Sequence, residues 1–257
     1  MIQKYNQYRH FVWIELNKGY INKNLLVRGE DNEPIAICKY YPDDEIFPPE
    51  IRYEREINAL ELFGGTLAPN IIWKKRPRIL VYEYLKGKDL LETQIDVSVQ
   101  NEIFDSIKKI HDIAKIKRKP HIEDVTKYYQ LLIKNYTSSN ITYPTTLVKN
   151  LEDLIEDQKE ILDEFIENIT YVHGDLVPPN LIIDNQVKFI DWEFSRPELS
   201  FYDYQYFNYY AKAHGLSISL EIDKKFQEFY DKLIDVLERL WRFGFLKKNN
   251  NLFYEID

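Results

Sequence analysis

Cysteine is all but missing from this chain: Cys38 is the single one among 257 residues. One thiol cannot form an internal disulfide, and a reducing compartment is the default. Long apolar runs are missing as well. No stretch approaches the ~20 residues that a membrane-spanning helix requires. The N-terminal Met1-Ile2-Gln3-Lys4-Tyr5-Asn6-Gln7 has no apolar signal core. Both absences point to a cytoplasmic protein with no membrane partner. Positive charge is in deficit, with 34 Lys and Arg against 42 Asp and Glu, a net charge of −8. That disfavours nucleic acid as the main partner, because a phosphate backbone selects clustered cations. Histidine is sparse, and His10, His111, His121 and His214 make no ligand-spaced cluster with His173, which argues against a metallo-phosphoesterase. Repeats, low-complexity tracts and long linkers are absent. Oligomeric state leaves no mark in the sequence.

What is present is an ordinary globular balance, 44% hydrophobic and 30% charged, in a chain long enough to build a core as one large domain or two lobes. The most informative stretch is Tyr171-Val172-His173-Gly174-Asp175-Leu176-Val177-Pro178-Pro179-Asn180-Leu181-Ile182-Ile183-Asp184, followed by Lys188-Phe189-Ile190-Asp191-Trp192-Glu193. An acid, an amide five residues on and a second acid eleven residues later can orient a hydroxyl and hold magnesium against a nucleoside triphosphate. Leu181–Ile183 and Val187–Ile190 are short β-branched runs separated by turn formers, so they read as a hairpin. With Asn185-Gln186 as a two-residue turn, Ile183 pairs with Lys188 and Asn180 with Asp191.

The first third of the chain reads as strands: Phe11–Leu16, Leu25–Val27, Ile35–Tyr41, and over Ile79–Gly87 an apolar strand ending in a more polar, glycine-terminated connector. Lys39 lies inside the third, either as a snorkelling edge residue or as a phosphate-binding lysine. The helix over Tyr53–Phe63 starts from Pro48-Pro49-Glu50. Glu56, Leu60 and Phe63 share one of its faces, while Glu54 and Glu61 lie on a polar one. An inward acid wants a cation, since burying it alone is costly, and Lys39 is the natural candidate. Beyond Gly87 the periodicity is helical over Val97–Ala114, Val125–Tyr136, Leu147–Ile169, Ser200–Ala213 and Leu220–Phe243.

His173-Gly174-Asp175-x-x-x-x-Asn180 with Ile190-Asp191 resembles the catalytic core of the aminoglycoside phosphotransferase and choline kinase superfamily, small-molecule kinases with a protein-kinase-like fold. The resemblance implies a two-lobed α+β fold. Residues 1–86 would form a nucleotide-binding lobe, an antiparallel sheet with one helix, and residues 87–257 a larger helical lobe with the catalytic hairpin and acceptor site. It implies ATP as donor and Mg²⁺ as cofactor. Asp175 would be the base, Asn180 and Asp191 the metal ligands, and Lys39 with Glu56 the phosphate-holding pair. Asp203 would brace the catalytic loop, and His173 would be structural. Tyr82 would take the gatekeeper place, with the Glu83 carbonyl and Leu85 amide meeting adenine. The phosphate loop resembles the Gly-x-x-Asn pattern of choline kinases, here Gly19-Tyr20-Ile21-Asn22, with a single glycine. Asp191-Trp192-Glu193 replaces Asp-Phe-Gly, so a flip-type activation switch is not expected.

The implied reaction is transfer of the γ-phosphate to a hydroxyl of an amino alcohol, aminoglycoside, sugar or amino acid. A RIO-like protein serine kinase shares the His-x-Asp loop, but the helical spacer of roughly eighty residues here is long for one. A nucleotide-binding protein without catalysis has no need of Asp175. For the acceptor, Glu193, Trp192, Trp241 and the Tyr202–Tyr210 segment admit two readings: an acidic aromatic pocket for a cationic alcohol, or a tyrosine-rich core.

Overall fold

The structure, a computed structural model, describes residues 11–16, 21–118 and 120–248. Contacts group the chain into two compact units: residues up to Asp96 together with Pro179–Ser195, and Val97–Pro178 together with the chain from Arg196 on. The segment Pro179–Ser195, with its hairpin, groups by contacts with the first unit.

In the first unit β1 (Val12–Leu16), β2 (Lys23–Arg28), β3 (Pro34–Tyr40), β4 (Ile71–Lys75) and β5 (Ile79–Glu83) form an antiparallel sheet of order β1-β2-β3-β5-β4. Lys39 sits opposite Asn24 on β2 and Leu80 on β5. It is therefore in a central strand, not at an edge. Helix α1 (Pro49–Phe63) starts with a proline in its first turn, where a missing N–H costs nothing. It buries Arg52, Tyr53, Glu56, Ile57, Ala59, Leu60 and Phe63, the inward face expected for Glu56, while the Glu54 and Glu61 side chains are exposed. Strand β4 escapes the sequence pattern because it is an exposed edge ending in Trp73-Lys74-Lys75.

A second sheet in this unit, of order β6-β8-β9, joins β6 (Lys88–Asp89), β8 (Leu181–Ile183) and β9 (Val187–Phe189). Gly87 enables it: its φ is +146°, and a Cβ there would lie 2.7 Å from the Ile183 carbonyl. The hairpin register differs from the expected one. Leu181 pairs with Phe189, Ile182 with Lys188 and Ile183 with Val187, because the turn takes three residues, Asp184-Asn185-Gln186. One extra turn residue shifts every pair by one, so Asn180 lies across from Ile190, whose N–H donates to its carbonyl at 3.0 Å. Asp191 follows in the left-handed region, φ 68° and ψ 56°.

The second unit is mainly helical: α2 (Val97–Arg118), α3 (Ile122–Ser138), α4 (Thr145–Glu164), α5 (Phe201–Ala213) and α6 (Lys224–Lys248). Ile103, Ile107, Ile110 and Ala114 line the buried stripe of α2, and Leu151, Ile155 and Leu162 that of α4. Helix α4 stops at Glu164, short of the expected Ile169. After a single 3₁₀ turn, Ile169–Val172 forms strand β7, paired antiparallel with β10 (Arg196–Leu199). The β-branched Ile169, Thr170 and Val172 favour extended backbone once a partner strand satisfies their ladder. Pro197 hides that partner from a sequence reading.

Candidate active site

The first unit gathers a buried charge cluster. Lys39 Nζ lies 2.6 Å from Glu56 Oε2, both side chains 1% exposed, and it also donates to Asp191 Oδ1. Tyr41 donates its hydroxyl to the same Glu56 oxygen at 2.6 Å. Burial works against the charge of Lys39, but Asp191, Glu193 and Glu56 outweigh it and raise its pKa well above the ordinary value, so the ammonium is kept. Burial, reinforced by the neighbouring carboxylates and opposed by Lys39, pushes Glu56 up to about 7.

Glu193, for which the sequence offers an acidic aromatic pocket or a tyrosine-rich core, extends the cluster. It is 3% exposed. Its two carboxylate oxygens each lie 2.8 Å from the Asn22 side-chain nitrogen. Arg52 Nη1 reaches Glu193 at 3.2 Å and the Asn22 side-chain oxygen at 2.5 Å. The same guanidinium donates to the Phe47 and Pro42 carbonyls. Trp192 is buried and stacks on Phe63, with ring centres 4.9 Å apart. Both residues thus have partners other than a pocket for a cationic alcohol. Trp241 stacks on Phe245 of its own helix.

Glu56, Asp191 and Glu193 each present an oxygen within 4.8 Å of the others. Such all-oxygen donors suit a hard divalent cation of the magnesium type. Lys39 already engages Glu56, and Arg52 engages Glu193. Asp191, with 36% of its side chain exposed, is the member that faces outward. Asn180, 8% exposed, stands at the same end of the hairpin.

The other sequence-derived residues of this unit are placed as follows. Tyr82 is buried in β5. Glu83 donates its N–H to the Asn70 carbonyl at 2.9 Å, and its carboxylate accepts from the Asn70 amide. Leu85 is half-buried in the extended connector. Gly19 lies outside the described residues.

In the second unit the loop after β7 carries Asp175. Gly174 takes a φ of +83°, which a residue with a Cβ rarely adopts. Asp203, fully buried on α5, accepts from the backbone N–H groups of His173 (2.8 Å) and Gly174 (3.0 Å) and lies 2.9 Å from His111 Nε2. Burial would raise its pKa, but the hydrogen bond from His111 and the charges and amides around it leave it lowered. His173 is buried, and its Nδ1 accepts from the Asp175 N–H at 3.3 Å. Both are braces, as expected. Arg196, 2% exposed, adds a third: it donates to the Gly174 carbonyl at 3.3 Å and packs over the rings of Tyr202 and Tyr128 at 4.3 and 4.5 Å. Asp175 itself accepts from the Tyr206 hydroxyl at 3.0 Å.

Among the described residues no helix is long and apolar enough to cross a membrane. The structure is similar to choline kinase LicA from Streptococcus pneumoniae, with a TM-score of 0.66 and 18% identity, covering 99% of this chain and 91% of that one. It is similar to choline kinase from Cryptosporidium parvum, with a TM-score of 0.59 and 18% identity over 91% and 74%. It is also similar to aminoglycoside phosphotransferase APH(3'')-Id from Streptomyces rimosus in complex with ADP and streptomycin, with a TM-score of 0.59 and 15% identity over 87% and 92%. At such identities these likenesses speak for the fold, which is protein-kinase-like and α+β. A sequence search among curated proteins finds no match. The family model for choline/ethanolamine kinase matches residues 54–231, well over half of the chain. The chain therefore belongs to the choline/ethanolamine kinase family and is a small-molecule kinase.

Proposed function

We propose that this kinase transfers the γ-phosphoryl group of ATP to the hydroxyl of a small amino alcohol of the choline or ethanolamine class. The observation that carries this reading is the buried Lys39–Glu56 pair joined to Asp191. A lysine held charged by carboxylates in a central strand is a costly feature with an evident use against donor phosphates. Phosphoryl transfer needs alignment and charge neutralisation more than covalent help. In this reading Lys39, set by Glu56, faces the donor phosphates. The backbone of Glu83 and Leu85 meets the base, while Gly19 and Asn22 belong to the phosphate loop. Asp175 orients the acceptor hydroxyl and takes its proton. Asn180 and Asp191 hold Mg²⁺, which when bound neutralises charge on the phosphoryl oxygens. The acceptor class is taken from the names of the family and of the similar choline kinases. Aminoglycosides are the second class, by the likeness to APH(3'')-Id. A cytoplasmic location follows from the need for ATP and from the unpaired Cys38.

An ADP-release screen across amino alcohols, aminoglycosides, sugars and amino acids tests the proposal, with Asp175→Asn as control. Acceptor-dependent ADP release by the wild type, lost in the variant, is the expected result. Equal turnover by the variant removes the role of Asp175, and acceptor-independent release throughout removes the proposed acceptors.

A further inference from the structure

Helix α5 meets the Asp175 loop with one face. Asp203 and Tyr206 stand three residues apart on it and are neighbours on its surface. Asp203 holds the loop backbone, accepting from the His173 and Gly174 N–H groups at 2.8 and 3.0 Å. Tyr206 holds the side chain that follows, its hydroxyl donating to Asp175 Oδ1 at 3.0 Å. One helix therefore fixes both the backbone that leads into Asp175 and the carboxylate at its tip.

The phenol is itself held in place. Its ring stacks on that of Tyr202 one turn earlier, with centres 5.4 Å apart, and is tilted against that of Tyr210 one turn later at 4.8 Å. Tyr202 is buried and meets the Tyr230 ring edge-on at 5.5 Å. Arg196 packs over the Tyr202 ring and donates to the Gly174 carbonyl, so the tyrosine stack and the loop share one clamp. Burial, with the charge of Asp175 next, raises the pKa of Tyr206 well above the ordinary value, and the phenol stays a donor. Such a donor matters to an aspartate because its terminal torsion is broad. A carboxylate free to turn about that torsion presents the right lone pair to a substrate hydroxyl only part of the time.

We propose that Tyr206 aims the Asp175 carboxylate at the acceptor hydroxyl and is a positioning residue for phosphoryl transfer. The inference rests on Asp175 being the base. In the transfer step the acceptor oxygen forms its bond to the γ-phosphorus. The bond from that phosphorus to the β–γ bridging oxygen breaks, ADP leaves with the bridging oxygen, and the acceptor proton passes to Asp175. Tyr206 neither gives nor takes a proton in this step. Its hydroxyl holds Oδ1, and the orientation it imposes acts on the rate through Asp175.

The test uses the full chain with ATP, Mg²⁺ and choline, or basal ATP hydrolysis with water as acceptor if choline is not turned over. Single-turnover rates are measured for wild type, Tyr206→Phe, Asp175→Asn and the double variant, together with the KM for ATP, ADP affinity and a thermal melt. Phenylalanine keeps the stacked ring and removes only the donor. Tyr206→Met, an adaptable apolar filler, takes its place if that variant does not fold. Tyr206→Phe should slow the chemical step about tenfold, a fraction of the roughly 10²–10⁴-fold that general base catalysis contributes, while the KM for ATP and ADP affinity hold. In the Asp175→Asn background the same change should slow the step less than about twofold, because a residue that acts through the base then has nothing to aim. A wild-type rate in Tyr206→Phe, with Asp175→Asn slow, overturns the positioning role alone. An equal loss in both backgrounds also overturns it, since a merely structural contact behaves that way. A wild-type rate in Asp175→Asn overturns the base reading beneath it.

Discussion

Arg52 and Glu193 meet at 3.2 Å with side chains 1% and 3% exposed, so a guanidinium on α1 holds the carboxylate two residues beyond Asp191. Removing one partner of such a pair strands a charge away from water, at about 3–5 kcal/mol. Arg52→Met should destabilise the protein by that order in urea denaturation. Arg52→Lys should recover only part of the loss, because an ammonium lacks the fork that also reaches Asn22, Phe47 and Pro42. Adding Glu193→Gln to Arg52→Met should cost less than the sum of the two single changes, since the stranded charge is then gone. Additive losses would show that the two residues act independently.

The Lys39–Glu56 contact leads to a different expectation, because the cost falls on catalysis. Lys39→Met removes the cation that directly touches both Glu56 and Asp191. Glu56, already pushed up to about 7, then takes a proton and stays neutral instead of remaining a buried charge. The variant should fold, bind ADP more weakly and turn over at least about 10²-fold more slowly, the scale on which a lost phosphate-facing donor is felt. An unaltered kcat would remove Lys39 from the site.

Asp203 gives a pH-dependent prediction whose sign is fixed by linkage. Its folded-state pKa is lowered from the ordinary 3.8. The stability it contributes is therefore fully present above about that pH and is lost as pH falls through the lowered value. Asp203→Asn keeps one acceptor oxygen but loses the charge that holds the His173 and Gly174 amides and faces His111. It should cost about 2–3 kcal/mol near neutrality, the scale of hydrogen bonds to a charged group. The gap from wild type should narrow below pH 3.8, as read by denaturation at several pH values. A gap that stays constant on acidification would mean that the loop is not held by the charge.

Much of this was legible in the sequence, for identifiable reasons. Glu56 follows from helical periodicity, because Leu60 and Phe63 share its face at four- and seven-residue steps while Glu54 and Glu61 share theirs with Asn58. Lys39 follows from the acid it must neutralise. Asp203 as a loop brace follows from the family resemblance. The hairpin register does not follow, since Asp184, Asn185 and Gln186 are all good turn formers and nothing local says whether two or three of them leave the ladder. Strands β7 and β10 are defined by each other across more than twenty residues, and neither has a pattern of its own. Arg52 carried a signal that went unused: it lies one helical turn before Glu56 on the same inward face, where an arginine must find an acid. The sequence offers Glu193 an acidic aromatic pocket or a tyrosine-rich core, and nothing local points to Arg52 or Asn22. Its partners come from α1 and from Asn22 just before β2, contacts that only the fold supplies.

Asp191 combines two costs, and the last prediction separates them. Its backbone sits in the left-handed region, which costs most residues roughly 1–2 kcal/mol, although Asp and Asn adopt it more readily. Its charge adds a third carboxylate to Glu56 and Glu193, within 4.8 Å of each, against the two cations Lys39 and Arg52. Asp191→Asn keeps the backbone tolerance and removes the excess charge. Lys39 retains Glu56 at 2.6 Å. This variant should lose activity by more than about 10²-fold, yet match or exceed wild-type stability by up to about 1 kcal/mol, the pattern of a site that trades stability for function. Asp191→Val removes the same charge but forces a β-branched side chain into the left-handed region, and should be destabilised relative to Asp191→Asn by about 1–2 kcal/mol. Thermal melts of the two variants beside wild type decide the matter. If Asp191→Asn melts well below the wild type, the Asp191 carboxylate is holding the cluster together, and the account of it as an outward-facing ligand carried at a cost is wrong.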